Sequence, residues 1–189
     1  MLPRPISDLK VCGILSAAVG AGFAANFRSY LPIPQGWANV ESWVFPLSAL
    51  NLAFHEAGHM IFGLLGMQFL MVAGGTIMQL AMPGACLVHF WKRGNWAGVG
   101  AMISWLGMNL VNISYYVADA KLQAIILITG VSGSEGGGHD WGYMLETLGL
   151  KNYCVGIGQL IFFFGCGLMV FPLFWGASWA WNRWSARAG

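Results

Sequence analysis

Charge is what this sequence has least of. Only 8% of its 189 residues are Asp, Glu, Lys or Arg, where a soluble domain carries about 25%. The net charge of +2 comes without any basic run, which excludes the broad cationic surface that nucleic acid requires. Cysteine is also sparse. Cys12, Cys86, Cys154 and Cys166 show no CxxC spacing and sit in apolar surroundings, so they are expected to behave as small buried hydrophobes rather than as a disulfide or thiolate site. The Gly-rich stretch "GVSGSEGGG" follows no strand and lacks a Lys-Ser/Thr ending, which excludes a phosphate-binding loop. There is no internal repeat.

What fills the chain instead is apolar. Hydrophobic residues make up 57%, with ten Trp and 27 Gly, a composition typical of transmembrane helices and their interfacial aromatic belts. The pattern predicts an all-α, polytopic helix bundle, an integral membrane protein of about five to six spans. It predicts one membrane domain over residues 1–189, with a metal-site core at about 43–140. Spans are expected near 10–28, 43–65, 68–91, 95–118 and 153–181. The first is read as a retained helix, because its apolar run is long for a signal sequence. Gly74-Gly75 and Pro83 are expected to interrupt the third. The piece "KLQAIILITG" is too short to cross and is expected to be re-entrant or interfacial. Four Lys/Arg fall on one side of a five-span arrangement and five on the other, so the positive-inside rule assigns no orientation. Trp91, Trp96, Trp175, Trp179, Trp181 and Trp184 cluster near span ends.

Within the second span stands "NLAFHEAGHMIFGLLG", residues 51–66. His55 and His59 are four residues apart, one helical turn, and so lie on one face. Two imidazoles at that spacing with Glu56 beside the first form the HExxH arrangement of two zinc ligands and a general base. Zinc lowers the pKa of its water toward about 7, and the carboxylate takes the proton. An ionisable group in a span costs a few kcal/mol and marks a functional site by default. Ala57 and Gly58 at the variable positions permit close approach of a neighbouring backbone.

A third ligand can come from two regions. Asp119 ends the fourth span with few charges around it, and the alternative reading is an interfacial Asp paired with Lys121. His139 and Asp140 follow the Gly run and open what reads as an amphipathic helix. They can close the metal site from a folded-in loop, orient a ligand from behind it, or serve as a helix cap and an exposed loop residue. Gln79, Asn109 and Asn112 are amides in apolar spans, suited to holding helices together or to binding a substrate strand. His89, near Lys92-Arg93, reads as interfacial.

An HExxH motif in a span with further spans after it resembles the site-2 protease family of intramembrane zinc metalloproteases. In that family an Asn-x-x-Pro-x-x-Pro-x-Asp-Gly pattern supplies an Asp as third ligand. The segment "NLVNISYYVADA", residues 109–120, matches it at Asn109 and Asp119. Asn112 and Tyr115 stand at the proline positions, Ala120 stands for Gly, and Asp119 comes two residues late. The resemblance covers about 43–120. It implies a Zn2+ site of His55, His59 and Asp119 with Glu56 as catalytic base, and His139 and Asp140 as the competing pair. It further implies hydrolysis of a peptide bond in or near the bilayer, with a transmembrane protein as substrate and Gln79 facing the site. Two other classes stay open: a zinc-dependent hydrolase of membrane lipid amides or esters, and a non-catalytic accessory subunit of a larger membrane complex. Assembly as a homo-oligomer stays open as well.

Overall fold

The computed structural model describes residues 45–125, 127, 130–136 and 138–188, with side chains described for 49–176 of these. The expected first span at 10–28 lies outside them, as do Cys12 and the side chains of Trp179, Trp181 and Trp184. Five helices follow in order: α1 (Phe45–Gly63), α2 (Gln68–Lys92), α3 (Trp96–Asp119), the short α4 (Asp140–Thr147) and α5 (Cys154–Ala188). Single 3₁₀ turns occupy Gly133–Glu135 and Lys151–Tyr153. There is no strand among the described residues.

Among the described residues, three stretches are long and apolar enough to cross a membrane: Gln68–Lys92, Trp96–Asp119 and Lys151–Gly176. Of the expected spans, the first lies outside the described residues, and these three correspond to the third, fourth and fifth. The HExxH helix α1 is not among them. It has 19 residues, and Asn51, His55, Glu56 and His59 dilute its apolar character. The motif also sits off-centre. His59 is four residues from the end of α1, about 6 Å along the axis at 1.5 Å per residue. The expected interruptions of the third span do not break it, for α2 runs on through Gly74, Gly75 and Pro83. Pro83 removes one backbone donor, a cost membrane helices tolerate when neighbours compensate. "KLQAIILITG" forms a turn and irregular chain rather than a helix among its described residues.

Without water to drive them together, membrane helices associate where small residues let backbones approach. Two such crossings organise the bundle. α1 packs on α2 where Gly58 faces Gly74: a Cβ added at Gly74 would stand 2.7 Å from the Gly58 carbonyl oxygen. α3 and α5 share the most extensive contact. There a Cβ on Gly107 would meet the Gly165 oxygen at 2.6 Å, and one on Gly158 would meet Ala118 at 2.8 Å. Around the second crossing lie the buried Ile113, Val117, Ala120, Leu145 and Cys154, with Leu80, Trp141, Ile157 and Ile161 against them. Leu145 and Trp141 carry α4 into this cluster, which seats it beside the ends of α3 and α5.

The bundle's two ends differ. At one, Trp91 and Trp96 are exposed beside Lys92 and Arg93, and Trp96 meets Trp175 edge-on at 5.5 Å. His89 lies exposed in the same last turn of α2. At the other end are the apolar turn after α1, Lys121, α4 and the ion pair Lys151–Glu146 (2.8 Å). The histidine motif belongs to this second end.

Candidate metal centre

The i, i+4 spacing on α1 places the two imidazole rings edge to face, with centroids 4.7 Å apart. Both turn the same atom outward, and their hydrogen bonds dictate which. His59 Nδ1 lies 2.9 Å from the Met71 carbonyl oxygen. A carbonyl only accepts, so Nδ1 carries the proton. His55 Nδ1 lies 3.2 Å from Gln79 Oε1. The Gln79 amide nitrogen donates to Asn109 Oδ1 (2.9 Å) and Asn112 Oδ1 (3.3 Å), so its oxygen must face the ring, and His55 too donates from Nδ1. In both neutral rings the lone pair is therefore on Nε2.

The third group is Asp140. Its Oδ2 lies 2.9 Å from His55 Nε2 and 3.1 Å from His59 Nε2. Each residue offers one ligand atom, and the three atoms lie within 4.8 Å of one another. Three acceptors meeting at one point repel unless a cation lies among them, either an added proton or a metal ion. Zinc ligands at about 2.0–2.2 Å in tetrahedral array stand about 3.3–3.5 Å apart. The observed separations are a few tenths of an ångström short of that, so small side-chain shifts would seat an ion. Between 20% and 31% of each of the three side chains remains exposed, which leaves the centre reachable. Gly75 makes the space: a Cβ there would stand 2.6 Å from His59 Nε2 and 2.7 Å from His55 Nε2. Two imidazoles and a carboxylate, each nitrogen oriented by a carbonyl behind it, suit a borderline divalent ion.

Glu56 stands beside His55, half-buried and within electrostatic reach of its ring. Among the described residues its carboxylate has no hydrogen-bond or ion-pair partner. The apparatus behind the histidines is larger than the motif. Asn109 also donates to the Trp105 carbonyl (2.9 Å), and the Trp105 indole donates to Asn51 Oδ1 (2.9 Å). Asn51 is one turn before His55, so the path Asn51–Trp105–Asn109–Gln79–His55 runs from α1 through α3 and α2 and back to α1. Gln79, Asn109 and Asn51 are all buried. The amides thus hold helices and aim His55. The structure spends Gln79 and Asn109 on that network and leaves neither amide free for a substrate strand. Asn112, half-buried, completes the Gln79 amide. Sequence reasoning passed over Asn51 and Trp105, although a lone amide four residues before a ligand histidine was a usable signal.

Asp119, expected as third ligand, is not brought to the histidine pair. Its carboxylate accepts from the backbone N–H groups of Ala124 (3.1 Å) and Ile125 (3.0 Å), and its Oδ2 faces His139 Nε2 at 3.4 Å. A carboxylate at the end of α3 folds the following chain back on itself instead of reaching α1. Nor does it pair with Lys121, whose ammonium donates to Asn152 (3.2 Å). His139 is neither an exposed loop residue nor at the metal position. It is buried, and its Nδ1 accepts from the Gly142 N–H (3.0 Å) as the N-cap of α4. Of the competing pair, Asp140 alone meets His55 and His59. No protein-family model, curated protein or solved structure matches this chain, so the reading of the site rests on its own chemistry.

Proposed function

We propose that the chain is a membrane-embedded, zinc-dependent hydrolase that cleaves a peptide bond in or near the bilayer, with His55, His59 and Asp140 as ligands and Glu56 as general base. One observation carries it: three acceptor atoms from α1 and α4 converge while both histidines have their other nitrogen tied to a carbonyl. When bound, the zinc ion supplies a Lewis acid and a water of lowered pKa. Every other part belongs to the protein. Gln79 and the Met71 carbonyl hold the rings in the tautomer that presents Nε2. Glu56, free of partners among the described residues, is the group able to take a proton from attacking water and return it to the leaving amine. Three protein ligands leave a coordination position for water and substrate, as catalytic zinc sites do and closed structural sites do not. The HExxH resemblance supports peptide hydrolysis as the reaction.

The test uses the full chain in liposomes with a panel of single-span transmembrane peptides, products read by mass spectrometry. Wild type loaded with zinc is expected to cleave, and Glu56→Gln is expected to retain zinc while losing cleavage at least about 100-fold, as for a general base. Equal cleavage by both would overturn the mechanism. Release of fatty acid from bilayer lipid with the peptides intact would move the bond to a lipid ester or amide. Iron in place of zinc in the purified protein would also overturn the assignment, since two His and one carboxylate is equally the donor set of non-haem iron oxygenases.

A further inference from the structure

His55 and His59 are fixed by α1 and its neighbours, but Asp140 arrives differently. It opens a helix of eight residues at the end of an irregular segment containing a Gly run. A helix that short does not hold itself in place. We propose that Asp119 and His139 form a latch that delivers Asp140 to the histidine pair, which makes Asp119 a positioning residue and not a ligand. The proposal rests on the metal-centre reading given above.

The contacts form a continuous path. Asp119, the last residue of α3, turns the chain back through the N–H groups of Ala124 and Ile125. Gln123 takes a positive φ of 53° to make that turn, and its carbonyl accepts from the Ser134 N–H at 3.1 Å. The 3₁₀ turn so anchored lies directly on His139: a Cβ on Gly133 would stand 2.9 Å from the His139 Cβ. Gly142 packs against the turn after α3, where a Cβ would stand 3.3 Å from the Ala120 carbonyl oxygen. His139 is hydrogen-bonded at one ring nitrogen, and at the other it faces the Asp119 carboxylate at ion-pair distance, outside hydrogen-bond geometry. Nδ1 accepts from Gly142 and sets the first turn of α4, so the proton is on Nε2, which faces Asp119 at 3.4 Å. With only 1% of its side chain exposed, the ring has little freedom. The next residue along the chain is Asp140. Its direction toward α1 follows from where His139 is held.

The experiment titrates Co2+ into the full chain and follows its visible d–d spectrum. His139→Asn keeps a good N-cap but is too short to meet Asp119. Asp119→Asn keeps volume and one acceptor. Each is expected to weaken Co2+ binding about 10–100-fold, the usual effect of losing a group behind a ligand, and to shift the spectrum toward that of Asp140→Asn. Introduced into Asp140→Asn, neither is expected to cost more. An undiminished loss in that background, or an unchanged spectrum in the single variants, would overturn the latch. A metal-free arm keeps the two readings apart. In a chain whose four cysteines are replaced by Ala, His59→Cys and Asp140→Cys are bridged with a short bifunctional thiol reagent. Bridging is expected to proceed there and to fall several-fold when His139→Asn is added; equal bridging overturns the latch. If wild type takes up no Co2+, the metal reading falls, and the bridging result still decides the latch.

Discussion

His55 and His59 share the Asp140 carboxylate at one end of the bundle, and at the same end His139 meets Asp119. The residue types are the same and the wiring is opposite. In the first grouping both histidines donate from Nδ1 to carbonyl oxygens, so lone pairs face a carboxylate and a cation is required. In the second, His139 Nδ1 accepts from a backbone N–H, so a proton already lies on the side facing Asp119. Two backbone N–H groups complete that carboxylate. The first grouping is partly open to solvent and short of positive charge; the second is buried, and its His139 Nε2 faces a carboxylate that backbone N–H groups already serve. Which histidine–aspartate set can bind metal is thus decided by what occupies the far nitrogen.

The strongest way to break this comparison is to delete one member of each grouping. Asp140→Ala or His59→Ala is expected to leave under about a tenth of an equivalent of metal in the purified protein, since binding energy here depends on the full ligand set; elemental analysis measures it. Asp119→Ala should weaken metal binding only in part, through a displaced Asp140, and should act on the fold as well. It strands two backbone donors and faces a buried ring with nothing, a loss of roughly 2–6 kcal/mol in unfolding stability at about 1–3 kcal/mol per unsatisfied group, read by denaturation in detergent. If Asp119→Ala emptied the site as completely as Asp140→Ala at unchanged stability, the distinction would collapse. Gln79→Leu sharpens it by removing the carbonyl that fixes the His55 tautomer. Metal affinity should fall about 10–100-fold, while the His139 grouping is untouched. The smallest effect belongs to Glu135, whose carboxylate accepts from the Ser132 N–H and hydroxyl. These bonds hold its carboxyl below the ordinary value of 4.5. The folded pKa is the lower one, so the stabilisation is present above the ordinary value and is lost as pH falls through the folded one. Glu135→Gln should flatten that acid-side slope in thermal unfolding followed from neutral pH to about pH 3, and leave metal content unchanged.

The motif was legible because its spacing is local: a 3.6-residue period puts His55 and His59 on one face whatever surrounds them. Apolar segments gave α2 and α3 to within a residue, and the start of α5, for the same reason. The third ligand was not legible. Asp119 and Asp140 both sit at helix ends near the site, and only long-range packing decides which carboxylate turns toward α1. Gly74-Gly75 read as a break because glycine disfavours helices. In fact each removes a side chain where something must come close, the α1 backbone at one and the imidazoles at the other. Asn51 and Trp105 escaped because their partnership joins two helices across 54 residues of sequence.

The span between ligands has a kinetic meaning. His55 and Asp140 are 85 residues apart, and α2, α3 and the turn after α3 must be in place before they can meet. Closing so long a loop is entropically deferred until the intervening contacts exist. The centre is therefore expected to assemble late in the described fold. Metal uptake in a refolding or insertion time course would mark completion of the bundle, with α4 docking as the closing step.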